Sequence, residues 1–328
     1  MSVLSAAADR LAANPNITVT HDAPLSAYTR FAIGGPAAVF CDTAEAEAFT
    51  QALKFVKELA LPRMVIGGGT NLIVADTGFD GVILRFTGAN IMRDRCALTI
   101  ESGAVLQDVV DYSVAAGLRG METLTGIPGY LGGAVYGNAG AYGHSMQELV
   151  QRVRFTDGKT VRDFDNAACQ FSYRESLFKD QKDWVILSTE LRFREGDSGE
   201  LRKIATDIRT IRDAKYPPTM KCAGSIFKNV FYAEVPAATQ QEIPPAMVRD
   251  GKVPSAWFLE QVGAKGIRRG DIQVAAYHAN LIYNDGKGKA ADLIVIIEDL
   301  KKRVRERFEF DLEEEVQFVG FDYSVEPA

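Results

Sequence analysis

The stretch that decides how this chain folds is GIPGYLGGAVYGNAGAYG, from Gly126 to Gly143. It contains seven glycines and no acidic, basic or thiol side chain. Glycine lets a ligand approach the backbone closely, at a cost in conformational entropy. A segment with so much backbone freedom and no reactive side chain predicts a binding loop whose chemistry is supplied by another molecule.

A second glycine-rich segment, IGGGTN at residues 66–71, follows a predicted strand. It is not a Rossmann fingerprint, because there the glycines lead into a helix that binds the pyrophosphate. Here they lead into LIVAD, a second predicted strand, and no Gly-Lys-Ser/Thr of a Walker A loop follows. Alone, IGGGTN indicates a tight turn or an anion-binding nest of amides. Two uncharged glycine loops together favour backbone amides around a dinucleotide such as FAD.

The composition is that of a globular protein of two or three domains, with 328 residues, 47% hydrophobic and 24% charged. A net charge of -6 argues against non-specific nucleic-acid binding. No apolar run has membrane-spanning length, and Asp9 and Arg10 interrupt the core that a signal peptide would need. Four scattered cysteines indicate free thiols in a reducing compartment, and three distant histidines match no metal-ligand spacing.

Periodicity predicts helices and strands without a regular βαβ alternation. A helix is expected over ELRKIATDIRTIRDAK, and a long one from about Ala290 to Phe308. Asp157-Gly158 predicts a β-hairpin turn, Pro217-Pro218 a domain boundary, and the Pro-rich residues 235–254 a loop. The spacing places apolar residues on one face of each helix. On the first helix these are Leu201, Ile204, Ile208 and Ile211, and on the second they are Leu293, Ile297, Leu300, Val304 and Phe308.

Seven segments occur in one order: YTRFAIGGPA, IGGGTNLIV, GIPGYLGGAVYGNAGAYG, YRESLFK, AGSIFKN, HANLIYN and LEEEVQFVG. Together, from about Tyr28 to Gly320, they resemble the UDP-N-acetylenolpyruvoylglucosamine reductase (MurB) family. The resemblance implies an α+β fold, with a two-subdomain FAD-binding module of the vanillyl-alcohol-oxidase type and a C-terminal α+β substrate-binding domain. The implied divisions are residues 1–65 and 66–216 for the two FAD-binding subdomains. Residues 217–328 form the substrate-binding domain, whose C-terminal strand returns to the active site.

The activity that the resemblance implies is reduction of UDP-N-acetylglucosamine enolpyruvate to UDP-N-acetylmuramate by NADPH through FAD, in peptidoglycan precursor synthesis. Such an enzyme serves cell-wall biogenesis, cell shape and cell division. We expect it in the cytoplasm as a monomer that binds no nucleic acid and inserts in no membrane. Relatives that attach FAD covalently use a histidine in the first glycine loop, and this chain has Thr70 and Asn71 there. FAD is therefore expected to be bound non-covalently.

Three residues carry the chemistry by resemblance. Arg174 in YRES is placed to bind a carboxylate and stabilise an enolate, although a surface salt bridge is the usual role of an arginine. Ser225 in AGSIFKN matches the proton donor, and because a free hydroxyl is a weak acid, its neighbours must assist it. The alternative for Ser225 is a turn or cap residue.

The third residue by resemblance is Glu315 in LEEEV, which matches the functional carboxyl. On a strand Glu313 and Glu315 share a face and Glu314 points the other way. The alternative for this glutamate run is a solvated strand edge. The chain departs from the family at Glu314, where proline is usual, and at Gln317, where arginine is frequent.

Binding roles also follow from the resemblance. Tyr173, Lys215, Asn229 and His278 match positions that contact the nucleotide sugar or NADPH, with a strand-end histidine as the alternative for the last. No metal ligand is implied. The positions implied for FAD are Ile33, Gly34, Gly67, Gly68, Gly69, Thr70, Asn71, Gly126, Ile127, Pro128, Gly132, Gly133, Ala134, Asn138, Gly140 and Tyr142.

Two other functions stay open from the sequence. One is an FAD-dependent oxidase of a sugar or hydroxy acid that uses O₂, which would not need Arg174, Ser225 and Glu315 together. The other is a flavin- or nucleotide-binding module without chemistry. A Ser225→Ala variant distinguishes the second from a reductase, because a protein without turnover has none to lose. Cys222 lies close to Ser225 in sequence and is interpreted as structural, since no histidine partner follows it.

Overall fold

The computed structural model describes residues 3–321. It divides into two compact units, each built from separate segments of the chain. The first unit contains the residues up to Ala23, residues 37–69 and residues 80–215. The second contains residues 24–36, residues 70–79 and the chain from Tyr216 onward. The division at residues 65 and 216 stays a prediction.

The described residues form α-helices and short 3-10 helices. The short 3-10 helices are Leu25–Ala27, Glu122–Leu124, Met146–Glu148, Tyr232–Glu234 and Pro245–Met247. The α-helices are α1 (Val3–Ala12), α2 (Ala46–Glu58), α3 (Leu106–Ala115), α4 (Leu131–Tyr136), α5 (Leu177–Asp180), α6 (Ser198–Lys215), α7 (Ala237–Gln240), α8 (Ser255–Gln261) and α9 (Ala290–Phe308). Within residues 3–321, no helix combines the length and the apolar character that crossing a bilayer requires.

The strands are mostly short, and those of the first unit precede α6. They are β1 (Thr18–Pro24), β2 (Pro36–Thr43), β3 (Arg63–Ile66), β4 (Leu72–Val74), β5 (Phe79–Phe86), β6 (Ile91–Asp94), β7 (Ala97–Glu101), β8 (Leu118–Arg119), β9 (Gly140–Ala141), β10 (His144–Ser145), β11 (Val150–Thr156), β12 (Val161–Asp165), β13 (Val185–Arg192), β14 (Arg194–Glu195), β15 (Lys221–Ser225), β16 (Val230–Phe231), β17 (Lys252–Val253), β18 (Arg268–Arg269), β19 (Ile272–Ala275), β20 (His278–Asn284) and β21 (Gln317–Val319).

The first unit contains two larger sheets and the two-stranded pairs β9-β10 and β8-β14. One of the larger sheets has the order β1-β2-β5-β3, and its core is shared with the apolar faces of α1 and α2. The other has the order β12-β11-β13-β7-β6 and is antiparallel. The predicted hairpin of β11 and β12 is confirmed, with Thr156 opposite Val161. Backbone N–H groups of Thr160 and Lys159 donate to the turn residue Asp157 and lower the pKa of its carboxyl.

Helix α4 lies inside the glycine stretch, where the sequence predicted only a loop. It forms because Leu131, Ala134 and Val135 are buried in the core that they share with α3 and β7. On helix α6, two residues of the predicted apolar face, Leu201 and Ile208, are buried. Ile211, which the same spacing assigns to this face, is 56% exposed, so the face is covered along only part of the helix.

The second unit has an antiparallel sheet in the order β15-β20-β19-β18, which shares one apolar core with α8 and α9. All five residues of the predicted apolar face of α9 are buried, which confirms that helix. Its first amides, those of Ala290 and Ala291, donate to the carboxylate of Asp76 at 2.9 and 3.0 Å. Strand β21 pairs in parallel with β4. The Pro-rich segment contains α7, a 3-10 helix and β17, rather than an unstructured loop.

Candidate functional site

The two glycine-rich segments lie side by side within the first unit. A Cβ built on Gly68 would lie 3.0 Å from the Cα of Gly129 and 3.4 Å from the ring of Tyr130. Gly67 also faces the Tyr130 ring, at 3.7 Å. Gly69 has φ +63°, a conformation that favours glycine. The structure thus joins two loops that the sequence could only place separately along the chain.

Backbone amides of the first loop are available to a ligand. Within residues 3–321, the N–H groups of Gly67, Gly68 and Gly69 have no hydrogen-bond acceptor, although none of these glycines is fully exposed. Unpaired amides away from water are costly, and consecutive ones form an anion-binding nest. Other predicted cofactor positions use their amides inside the protein; these are Gly126, Ile127, Gly132, Ala134 and Asn138.

Gly133 and Asn138 show two different roles within the glycine stretch. Within residues 3–321, no atom beyond its own helix and chain neighbours lies within 4 Å of a Cβ built on Gly133, which leaves room there for a ligand. Asn138 is buried, and its amide nitrogen donates to Ser172 O at 2.7 Å. Its amide oxygen accepts the N–H of Gln147 at 3.0 Å. The Asn138 side chain therefore connects the stretch to Ser172, directly before the YRES segment.

Arg174 lies in the first unit beside the glycine stretch. Its Nη2 donates to Gly140 O at 3.0 Å, and its guanidinium lies 5.1 Å from the centre of the Tyr173 ring. The residue has φ +60°, which costs a residue with a side chain on the order of 1–3 kcal/mol. Lys179 Nζ donates to Arg174 O at 2.9 Å and helps to hold this conformation.

Ser225 lies in the second unit, at the end of β15. Gly224 has φ +78°, and the pairing with β20 shifts register between Cys222 and Ser225, so the hydroxyl is placed by an irregular strand end. Ser225 Oγ lies 3.2 Å from the hydroxyl of Tyr216, which lies 3.5 Å from Nε2 of His278. The structure thus brings together two predicted site residues through a tyrosine that sequence reasoning missed.

Glu315 is fastened to the same unit by its backbone. Its N–H donates to Ile226 O at 2.7 Å, directly after Ser225, and its C=O accepts Nδ2 of Asn71 at 3.0 Å. Asn71 O in turn accepts the N–H of Gln317 at 3.0 Å. Asn71, the segment after Ser225 and Glu315 therefore form one connected group.

The neighbouring glutamates have lysine partners in the second unit. Glu313 bonds Lys228, a buried lysine, and Glu314 bonds Lys301 at 2.8 Å. The Glu314 and Lys301 side chains are 20% and 21% exposed. The ion pair with Lys301 therefore gives Glu314 a partner, at a position where the sequence predicted a departure from the family pattern.

Other predicted positions have structural explanations. Ile33 is buried in the core of the second unit. Gly34 has φ +119°, and a Cβ there would lie 2.5 Å from Val74 Cβ, so packing alone requires glycine. Asn229 Oδ1 accepts the N–H of Ser255 at 3.4 Å. The remaining predicted positions lie at the surface or partly buried; they are Thr70, Pro128, Tyr142 and Lys215.

Burial disfavours ionisation of two of the four thiols. All four cysteines are free, and burial raises the pKa of the Cys41 and Cys169 thiols to about 12. Cys222 is fully buried, in keeping with a structural role. In the described part of the chain, no group of three or more His, Cys, Asp or Glu side chains is arranged to hold a metal ion.

Comparison with protein families gives two matches. A family described as "FAD binding domain" matches residues 36–162. A family described as "UDP-N-acetylenolpyruvoylglucosamine reductase, C-terminal domain" matches residues 216–319. These matches and the mixture of helices and strands confirm the predicted α+β fold, with an FAD-binding module followed by a C-terminal domain.

Individual relatives agree along nearly the whole chain. A UDP-N-acetylenolpyruvoylglucosamine reductase of Solibacter usitatus is 55% identical over 311 residues, 95% of this chain and 100% of the relative. One of Rubrobacter xylanophilus is 35% identical, covering 91% of this chain and 94% of its own. A crystal structure of the Thermus caldophilus reductase (MurB) has a TM-score of 0.71 at 27% identity, covering 92% and 98% of the two chains.

Proposed function

The chain belongs to the UDP-N-acetylenolpyruvoylglucosamine reductase family, and we propose that Arg174, Ser225 and Glu315 are its catalytic residues. It is an FAD-dependent oxidoreductase with NADPH as reductant, and an oxidase function is not favoured. The observation that carries the proposal is the bond from Glu315 N–H to Ile226 O at 2.7 Å. It holds the backbone of the predicted acid against the residue that follows the predicted proton donor.

The residues of the chain fit FAD as the cofactor. The unpaired amides of Gly67, Gly68 and Gly69 would bind its pyrophosphate without a lysine or arginine. The open space at Gly133 would accommodate its close approach to the backbone. Position 70 is a threonine and position 71 an asparagine, so this loop offers no histidine for a covalent bond.

The mechanism assigns one task to each catalytic residue. When bound, FAD supplies the hydride that adds to the enolpyruvyl carbon–carbon double bond. Arg174 binds the substrate carboxylate with its guanidinium and stabilises the negative charge that develops there. Glu315, when protonated, donates a hydrogen bond to the same developing enolate. Ser225 transfers its hydroxyl proton to the α-carbon, which completes the reduction.

The finer assignments belong to the same proposal. The substrate is UDP-N-acetylglucosamine enolpyruvate, and Tyr173, Lys215, Asn229 and His278 contact it or NADPH. The enzyme works as a monomer in the cytoplasm, where its product feeds cell-wall biogenesis and so supports cell shape and division. The support for these assignments is the family relationship together with the matched motif positions.

The experiment that tests the proposal separates the two half-reactions of the purified holoprotein. Under anaerobic conditions, NADPH should bleach the flavin absorbance, and the enolpyruvyl sugar nucleotide should restore it. In Ser225→Ala, bleaching should keep the wild-type rate, while restoration should slow by about 10²–10⁴-fold because general-acid catalysis is lost.

A matched control is Ser113→Ala, which removes a buried hydroxyl that donates to Val110 O in α3 of the first unit. It should leave both half-reactions at wild-type rates. If Ser225→Ala slows both half-reactions alike, the assignment of the proton donor is wrong. Bleaching by a simple sugar, with recovery in O₂, would favour an oxidase instead.

A further inference from the structure

The hydroxyl of Tyr216 lies between two predicted site residues of the second unit. It is 3.2 Å from Ser225 Oγ and 3.5 Å from His278 Nε2. Tyr216 follows the end of α6, Ser225 ends β15, and His278 begins β20. These three elements therefore place the Ser225 hydroxyl, the Tyr216 phenol and the His278 imidazole next to one another, with the phenol in the middle.

Packing fixes the Tyr216 ring in this place. The ring is half-buried and packs with Met220 and Tyr283 against a small core of Cys222, Ala275 and Leu281. The Tyr216 and His278 rings lie 6.1 Å apart, with planes inclined at 66°. A side chain held this way keeps its hydroxyl in position at little further cost in entropy.

The chemistry of a serine proton donor gives this contact a purpose. A serine hydroxyl has one proton, and a donor that gives it to substrate must point it toward substrate. Its oxygen must then accept a hydrogen bond from elsewhere, because negative charge develops on it as the proton leaves. A phenol is a stronger acid than an aliphatic alcohol and suits that task. The Tyr216 hydroxyl is within the required distance of Ser225 Oγ.

We propose that Tyr216 is a positioning residue for the proton donor, an inference that rests on the proposed role of Ser225. The Tyr216 hydroxyl donates to Ser225 Oγ, which leaves the serine proton directed at the substrate. One proton passes from Ser225 Oγ to the α-carbon while one passes from Tyr216 Oη to Ser225 Oγ. The phenolate then recovers its proton from His278 or from water before the next turnover. The Tyr216 hydroxyl lies 3.5 Å from His278 Nε2, which is at the limit of a hydrogen bond. His278 therefore contributes less to the position of the Tyr216 hydroxyl than Ser225 does.

The first test is Tyr216→Phe in the holoenzyme, which keeps the ring and removes the hydroxyl. Reduction of the flavin by NADPH should stay within about twofold of wild type. Reoxidation by substrate should slow by about 10–100-fold, the factor expected for one hydrogen bond to a developing charge, with no change in substrate affinity. Tyr283→Phe is the matched control, since it removes a hydroxyl from the same packing cluster that donates to Gln273 Oε1 at 3.1 Å. It should change neither half-reaction.

A double-mutant cycle distinguishes this inference from the proposed function. Because Tyr216 acts through Ser225, adding Tyr216→Phe to Ser225→Ala should slow reoxidation by less than about a further twofold. Three results would overturn the inference. In the Ser225→Ala background, Tyr216→Phe could slow reoxidation by its full factor of about 10–100-fold. Tyr216→Phe alone could leave reoxidation unchanged, or it could slow both half-reactions equally. If Ser225→Ala alone has no effect, the proposed function itself fails.

A measurement on the wild-type enzyme covers the case in which Tyr216→Phe does not fold. The rate of reoxidation by substrate is followed in mixtures of H₂O and D₂O. Two protons in flight, from Tyr216 and Ser225, should give a curved dependence on the fraction of deuterium. A linear dependence indicates a single moving proton and would contradict the transfer from Tyr216.

Discussion

Two adjacent glycines of α4 provide a sharp test of how the chain binds FAD, because a methyl group has opposite consequences at each. A Cβ on Gly132 would lie 2.7 Å from Ser102 Cβ and 3.1 Å from Ser102 O. The Ser102 hydroxyl donates to Ile186 O at 2.7 Å, which keeps it from moving aside. At Gly133, by contrast, no atom of residues 3–321 outside its own helix and chain neighbours lies within 4 Å.

The magnitudes follow from these surroundings. Gly133→Ala should stabilise the FAD-free protein by about 0.5–1 kcal/mol, because alanine loses less entropy in a helix, which corresponds to roughly 1–4 °C in Tm. The same methyl should weaken FAD binding by about 5–150-fold, since overpacking a close contact costs about 1–3 kcal/mol. Gly132→Ala should destabilise the FAD-free protein by about 1–3 kcal/mol through the clash with Ser102.

The assay removes FAD, measures thermal unfolding of each FAD-free variant, and titrates FAD back while following the quenching of its fluorescence. Gly132→Ala serves as the matched control, because it places the same methyl on the same helix one residue earlier. The reasoning is refuted if Gly133→Ala raises Tm and leaves the Kd for FAD unchanged. That result would mean that the cofactor does not approach α4 at Gly133.

Two further predictions concern a carboxyl and a thiol. Glu315→Gln should slow substrate-dependent reoxidation by about 10²–10³-fold in stopped-flow absorbance. Glu314→Gln, which removes the negative charge of the ion pair with Lys301, should not; equal effects of the two variants would contradict the special role of Glu315. Burial raises the pKa of the Cys41 thiol from 9.0 to about 12, so above pH 9 the unfolded thiol ionises first and stability falls as pH rises. Between pH 8 and pH 10, the free energy of unfolding in urea should fall by about 1.4 kcal/mol more for the wild-type protein than for Cys41→Ala. A difference in stability between the two proteins that stays constant with pH would contradict this.

Local patterns predicted the elements whose signals lie within a few residues. The core face of α9 repeats at helical spacing, and the hairpin of β11 and β12 needs only the turn at Asp157. Ile211 has the same spacing on α6 but is 56% exposed. Periodicity identifies the side of a helix that is apolar, whereas the neighbouring elements decide how far along the helix that side is covered.

The sequence by itself determined the glycine-rich loops, the mixed helices and strands, and the motif residues Arg174, Ser225 and Glu315. The tertiary structure decided that the two loops lie side by side, that part of one is a helix, and that Tyr216 contacts Ser225. The physical reason is that loop and helix signals are encoded over a few neighbouring residues. The contact between Tyr216 and His278, which are 62 residues apart, depends on the pairing of β15 with β20 and on the core beneath them.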